Sequence, residues 1–239
     1  MNIIKSVTVL ALCLSCGHLS AQETPFKLGV RLGGGISVTT GLDKILVPED
    51  YYSNYNFKDK WQFTPTVGVF AQYHVDGSII GVEGGFSYWQ KASQLVYNDN
   101  KELNYKVTPR YNYIGVSALL KIYPWRKGFN ISIGGRAGAN LNGKGISYES
   151  NQEDSKFANY HFATGAETER LMKEKLTGQP DIAVGGGFGY EIGNHWALDL
   201  RYFHGLNSII KTERNDYNWA EHSTHGQNIE LSISYLFKL

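Results

Sequence analysis

Apolar residues recur at every second position of this chain in eight separate stretches. In the first, Leu28, Val30 and Leu32 alternate with Gly29, Arg31 and Gly33. The second carries Val67, Val69, Ala71 and Tyr73, and the third Ile80, Val82, Phe86 and Tyr88. The fourth and fifth run from Ile114 to Ile122 and from Ile131 to Ala139. The last three carry Ile182 to Tyr190, Trp196 to Tyr202 and Ile229 to Phe237. A period of two marks a strand with one apolar face. The connections alternate as well. Long ones fall at about 39–63, 149–177 and 206–224, with a medium one near 93–104. Short ones fall at 75–78, where Asp76-Gly77 signals a tight hairpin, at 124–128 and at 191–194. This is the plan of an all-β, eight-stranded antiparallel up-and-down barrel; in a transmembrane barrel of this plan the connections would be four long external loops and three short periplasmic turns. No repeat or linker divides it.

A soluble barrel would show the same alternation, so the other face decides. In water that face would be crowded with Lys, Glu and Gln. Here it is mostly Gly, Ala and Ser with one or two charges per strand, which suits a cramped interior. Aromatics sort by strand end. Tyr73, Tyr123, Tyr190, Trp196, Tyr235 and Phe237 fall at the short-turn end, and Tyr88, Tyr111, Tyr113 and Tyr202 near the long-loop end. Two such belts are expected where a bilayer edge meets water.

Composition narrows the classes further. The chain has 239 residues, 27 of them Gly, with 23 Lys+Arg against 22 Asp+Glu. That balance excludes nucleic acid as a partner held by bulk charge, and excludes a charge-rich disordered chain. Residues 1–21 read as a cleaved signal peptide: Lys5, an apolar run from Val7 to Leu14, and Leu19-Ser20-Ala21 as the cleavage site. The barrel domain is then 22–239. Cys13 and Cys16 leave with the signal, and the mature chain has no thiol chemistry. Cys16-Gly17 would suit lipidation, but Cys13-Leu14-Ser15 departs from the usual approach, so ordinary export is favoured.

Several stretches resemble a known family, the small bacterial outer-membrane β-barrels of porin-family or PorT-like type. They are residues 27–35, Gly68 to Tyr73, Tyr113-Ile114 leading to Leu119–Tyr123, and above all Asp181 to Glu191 followed by Asp199 to Leu206. The resemblance implies a barrel in the outer membrane of a Gram-negative-type bacterium, with lipid around it.

Candidate chemistry is thin. Gly185-Gly186-Gly187-Phe188-Gly189 looks like a phosphate loop, but no helix pattern follows it, and close strand packing explains it better. Glu221, His222 and His225 lack a further ligand in register, so no metal is expected. His204, Asp199 and Ser208 could suggest a lipid-acting enzyme, but nothing fixes a nucleophile. Glu167 to Lys175, with Glu169 four residues before Lys173, predicts a short loop helix. No catalytic residue or cofactor is assigned. The informative constellation is the inward charges: Arg31, Lys121, Arg136 and Arg201 with Glu83, Asp199 and Glu230. In so narrow a bore these must pair across the lumen, which makes the interior a plug. The expected role is therefore structural, or the binding of envelope partners through loops 39–63, 149–177 and 206–224. A narrow gated conduit is the alternative.

Overall fold

The computed structural model describes residues 25–46, 57–98, 104–126, 128–151, 164–193, 195–212 and 222–238. The expected signal peptide and Glu221 lie outside the described residues. In chain order the elements are β1 (Phe26–Thr40), α1 (Leu42–Leu46), β2 (Phe57–His74), β3 (Ile80–Asn98), β4 (Asn104–Ile122), β5 (Phe129–Asn140) and β6 (Ile146–Ser150). They continue with α2 (Gly165–Lys175), β7 (Leu176–Gly178), β8 (Asp181–Ile192), β9 (Trp196–Gly205), β10 (Ile210–Thr212) and β11 (His225–Lys238).

Eight of the strands close a ring in the order β1, β2, β3, β4, β5, β8, β9, β11, with β11 returning to β1. Every pairing in it is antiparallel. Closure leaves no free strand edge, which a bilayer requires because lipid cannot satisfy backbone groups. The short hairpin between β2 and β3 closes with the Ser78 N–H donating to the Val75 carbonyl at 2.9 Å. Gly77 takes the positive φ that this turn needs, +78°. At Gly187 a side chain would collide with the Leu200 carbonyl oxygen, 2.0 Å from where a Cβ would stand. That run of glycines is strand packing: it lies within β8, which continues to Ile192 before the turn into β9.

The alternation sorts the two faces of the ring. Leu28, Val30, Leu32, Val69, Phe86, Val116, Ile133, Phe188, Leu200 and Leu231 point outward and are exposed. Their neighbours in sequence point into the lumen. Outward aromatics mark both rims: Tyr73, Tyr190, Trp196 and Phe237 at the short-turn end, Tyr202 and Phe63 at the other. Three expected belt residues are not in the belts. Tyr111, Tyr113 and Tyr123 point inward and are buried.

The strands are also unequal. β2, β3 and β4 have 18, 19 and 19 residues, while β5, β8 and β9 have 12, 12 and 10. About 9–11 residues cross a bilayer, so the three long strands overshoot it by about 25 Å at strand rise. The expected loops at 39–63 and 93–104 are therefore partly strand. A one-residue bulge between Trp61 and Thr66, beside Pro65, lets β2 change its parity as it leaves the ring. β6 adds to the overhang of β4, with Tyr105 opposite Ser150 and Pro109 opposite Ile146.

Inside the overhang the long loops fold into a cap. Leu42 and Ile45 of α1, Met172 of α2, Leu176 of β7, and Ile209 and Ile210 pack on Trp89, Leu95, Val107 and Tyr111. β7 and β10 pair with one another, Ile210 opposite Gly178. The helix expected at Glu167–Lys175 is α2, capped by Thr164, whose hydroxyl accepts from the Glu167 N–H.

The assignment of faces is testable. Leu200 is 48% exposed in the middle of β9, and Ile192 is 57% exposed at the short-turn end of β8. Arginine facing lipid costs about 2–4 kcal/mol at the midplane and about 0–1 near an interface. Leu200→Arg should lower unfolding stability in lipid vesicles by about 2–4 kcal/mol, and Ile192→Arg by about 0–1 kcal/mol. Denaturant titration measures both; equal losses would contradict the placement of the bilayer.

Candidate functional site

Each strand of the ring gives the lumen its polar alternate positions, and the ring brings them together from distant parts of the chain. Glu83 of β3 is the centre. Arg31 reaches it at 2.8 Å, Arg201 at 3.0 Å and Lys121 at 3.0 Å. Asp199 takes the second faces of both arginines, 3.3 Å from Arg31 and 3.2 Å from Arg201. Arg201 meets Glu83 through both terminal nitrogens, a bidentate fork. Higher in the lumen Arg136 is 3.5 Å from Glu230 and lies between the rings of Trp89 and Phe203, 4.7 and 4.2 Å from their centroids. Arg31, Glu83, Lys121, Asp199 and Arg201 thus form one group, and Arg136 with Glu230 another.

Four further charges join them. Asp181 accepts from Lys91 at 2.6 Å and from the Trp89 indole at 3.0 Å, with Arg136 at 3.8 Å. At the short-turn end Glu191 accepts from Tyr123 at 2.6 Å and Gln72 at 2.7 Å, and pairs with Lys27 at 3.2 Å. Asp181, Glu191 and Lys27 continue the inward parity of β8 and β1, and that parity could have found them. Lys91 sits where β3 outruns the apolar alternation. The buried lumen charges are then Arg31, Lys91, Lys121, Arg136 and Arg201 against Glu83, Asp181, Glu191, Asp199 and Glu230. Positive and negative balance.

Little space remains between these groups. A cavity lined by Arg31, Ser117, Arg136, Arg201, Phe203 and Glu230 measures about 20 Å³, room for about one water. Above it stands the apolar cap. α2 is tied to β6 where the Tyr148 N–H donates to Glu169 at 3.1 Å, and Lys173 also bonds that carboxylate. The Lys173 hydrogen bond, then that of the Tyr148 backbone, holds the Glu169 carboxyl below its ordinary range. This tie is complete above the ordinary carboxylate pKa and is lost as pH falls through the lowered value.

The other candidate groups do not assemble. Asp199 is held deep in the lumen by its arginines, and His204 is 3.5 Å from the Tyr202 hydroxyl on the outer side. The Ser208 hydroxyl donates to the Ile210 carbonyl. His222 is exposed, and His225 contacts the Gly205 carbonyl through Nδ1. Among the described residues no group of three or more His, Cys, Asp or Glu is placed to hold a metal ion.

The family model for the outer membrane protein beta-barrel domain matches residues 9–237. The chain belongs to this family. Members of the outer membrane protein beta-barrel family sit in the outer membrane of Gram-negative bacteria, so lipid surrounds the apolar face. No curated protein matches the chain in sequence. Similar solved structures include Ail of Yersinia pestis in complex with the heparin analogue sucrose octasulfate: 11% identity, TM-score 0.38, covering 89% of this chain and 99% of that one. Neisserial surface protein A is similar at 10% identity and TM-score 0.39, covering 90% and 98%. OprG of Pseudomonas aeruginosa stands at 14% and 0.37, covering 89% and 96%.

Glu83 gives the sharpest test of the lumen. Glu83→Gln leaves three cations short of one negative charge in a dry site, and breaking a buried pair costs about 3–5 kcal/mol. Unfolding titrations in detergent should show a loss of that order. A neutral effect would mean that water, not Glu83, compensates the cations.

Proposed function

We propose that this protein is a closed barrel anchor. It would do its work through the folded cap, which it holds outside the membrane for contact with other envelope proteins. The observation that carries this reading is the double closure of the bore. Paired charges fill it through the bilayer, and an apolar core of loop elements fills the mouth above. Among the described residues, the cavity between the paired charges has room for about one water. The same fold of loops gives the outside a shaped surface, whereas the described turns at the other end are short. A PorT-like role in secretion would be one way to use such an anchor.

In this reading the cap faces the cell exterior and residues 1–21 are removed on export. An epitope inserted at Asn151 should be reached by antibody on whole cells, while one at Asp76 should not. N-terminal sequencing of the outer-membrane form should begin at Gln22. The closed bore predicts no steady conductance in planar bilayers beyond brief, small events. Large persistent currents from the wild-type protein would replace the anchor reading with the narrow conduit.

A further inference from the structure

The overhang of β2, β3 and β4 with β6 is a small sheet with two unlike faces. Its inner face carries Leu95, Val107, Tyr105 and Tyr148 against the cap. Its outer face is set by the register. Lys58 lies opposite Val96, Val96 opposite Lys106, and Lys106 opposite Glu149. One step nearer the barrel, Lys60 lies opposite Gln94 and Gln94 is hydrogen-bonded to Thr108. One step nearer again is Arg110, opposite Ala92. Four cations thus share one exposed face in a protein whose total charge is nearly balanced. Among the described residues no carboxylate pairs with Lys58, Lys60 or Arg110. Glu149 is 3.5 Å from Lys106, but both side chains are half-exposed or more, so that pair is weak.

We infer that this face binds the phosphate-bearing headgroup of a lipid in the outer leaflet around the barrel. The inference rests on the orientation proposed above. The site lies in line with the lipid-facing surface. Following β4 downward from Arg110, the same side of the strand carries Asn112, Ile114 and then Val116, and on β3 it carries Tyr88 and Phe86. Arg110 therefore stands about 13 Å along the strand above Ile114. A lipid whose chains lie against Phe86 and Val116 has its headgroup at the foot of this face. Arg110 is held there by Gln90, which bonds Asn112, which takes the Tyr88 hydroxyl. These partners are neutral and orient the guanidinium without cancelling its charge. Lys58 and Lys106, on one row two strands apart, are separated by ~10 Å, and rows along the strands by ~7 Å. That grid suits a headgroup bearing more than one phosphate, which arginine grips as a fork and lysine as a point charge. A free phosphate ion finds no enclosure on so flat a surface. A tethered one arrives at high effective concentration because its chains already occupy the bilayer.

The experiment uses the folded barrel in phosphatidylcholine nanodiscs containing bisphosphorylated lipid A, or the same lipid with its phosphates removed. Native mass spectrometry reads the lipid A retained. Wild type should retain the phosphorylated form at least about tenfold better than the dephosphorylated one, with the preference falling in high salt. Lys58→Gln/Lys60→Gln/Lys106→Gln/Arg110→Gln should abolish that preference. Lys175→Gln/Lys211→Gln, which removes cations elsewhere on the cap, should leave it intact. Heat-modifiable gel mobility confirms folding; if the fourfold variant fails it, Lys60→Gln/Arg110→Gln, nearest the membrane, is measured instead. Equal retention by wild type and variant would overturn the inference, as would equal retention of both lipids. Full competition by millimolar inorganic phosphate would reassign the face to the free ion. Unchanged lipid retention, with loss of a crosslinked envelope protein in cells, would reassign it to an acidic protein partner. The whole-cell epitope test separates these results from a failure of the orientation, since nanodiscs expose both ends of the barrel.

Discussion

Glu83 lies where Arg31, Arg201 and Lys121 converge from β1, β9 and β4, and its negative charge makes the bore of this barrel tolerable. Eight strands enclose just enough room for side chains. Whatever points inward is stripped of most of its water. A buried ion pair adds little net stability against an apolar substitute, but an unpaired buried charge is expensive. The network therefore acts mainly as a constraint on register. A slip of one residue on any strand would move its charge from the lumen to the lipid and an apolar side chain the other way. Arg31 and Asp199 are 168 positions apart, so their pairing requires the ring to have closed.

The same chain reverses its amphipathic sense once it leaves the membrane. Through the bilayer, β3 shows Val82 and Phe86 to the outside and Glu83 to the inside. Beyond it, β3 buries Trp89 and Leu95 on the inner side and turns Gln94 outward. The period of two continues unbroken, and only the solvent changes places. Inside the overhang there are loop elements to pack against, while outside there is water or headgroups. That is why β3 and β4 can be long while keeping Leu95 and Val107 buried.

This reversal also explains what the sequence made legible. The eight ring strands were plain because Leu, Val, Ile and aromatic residues faced one solvent, lipid, at a regular spacing. The lumen positions followed by parity, so Arg31, Glu83, Lys121, Arg136, Asp199, Arg201 and Glu230 were readable as inward. Lys91 was not, because from Trp89 onward the polar and apolar sides exchange and the pattern no longer looks like a continuation of β3. Tyr111 and Tyr113 misled for the same reason: near a rim an aromatic side chain serves a belt or a core equally well. Tyr123 has a different cause. Its ring stacks on His74, centroids 3.8 Å apart, and its hydroxyl donates to Glu191, so it completes the charge network from inside. β6, β7 and β10 are too short to carry a period, and their pairing depends on contacts that no local stretch encodes.

Lumen and cap are joined through Asp181. Its carboxylate takes Lys91 and the indole N–H of Trp89, and Arg136 ties it to Glu230 below. Trp89 in turn stacks on Tyr113 at 5.9 Å and belongs to the apolar core that holds α1, α2 and β10. An opening of the mouth that moved Trp89 would leave Asp181 short of a donor, and a loss of the charges below would free Arg136 from its place between Trp89 and Phe203. Neither layer can relax by itself without stranding a polar group in a dry interior, where that is costly. The two closures are thus one mechanical unit. A surface carried on such a unit keeps its shape, which is what the proposed anchor requires.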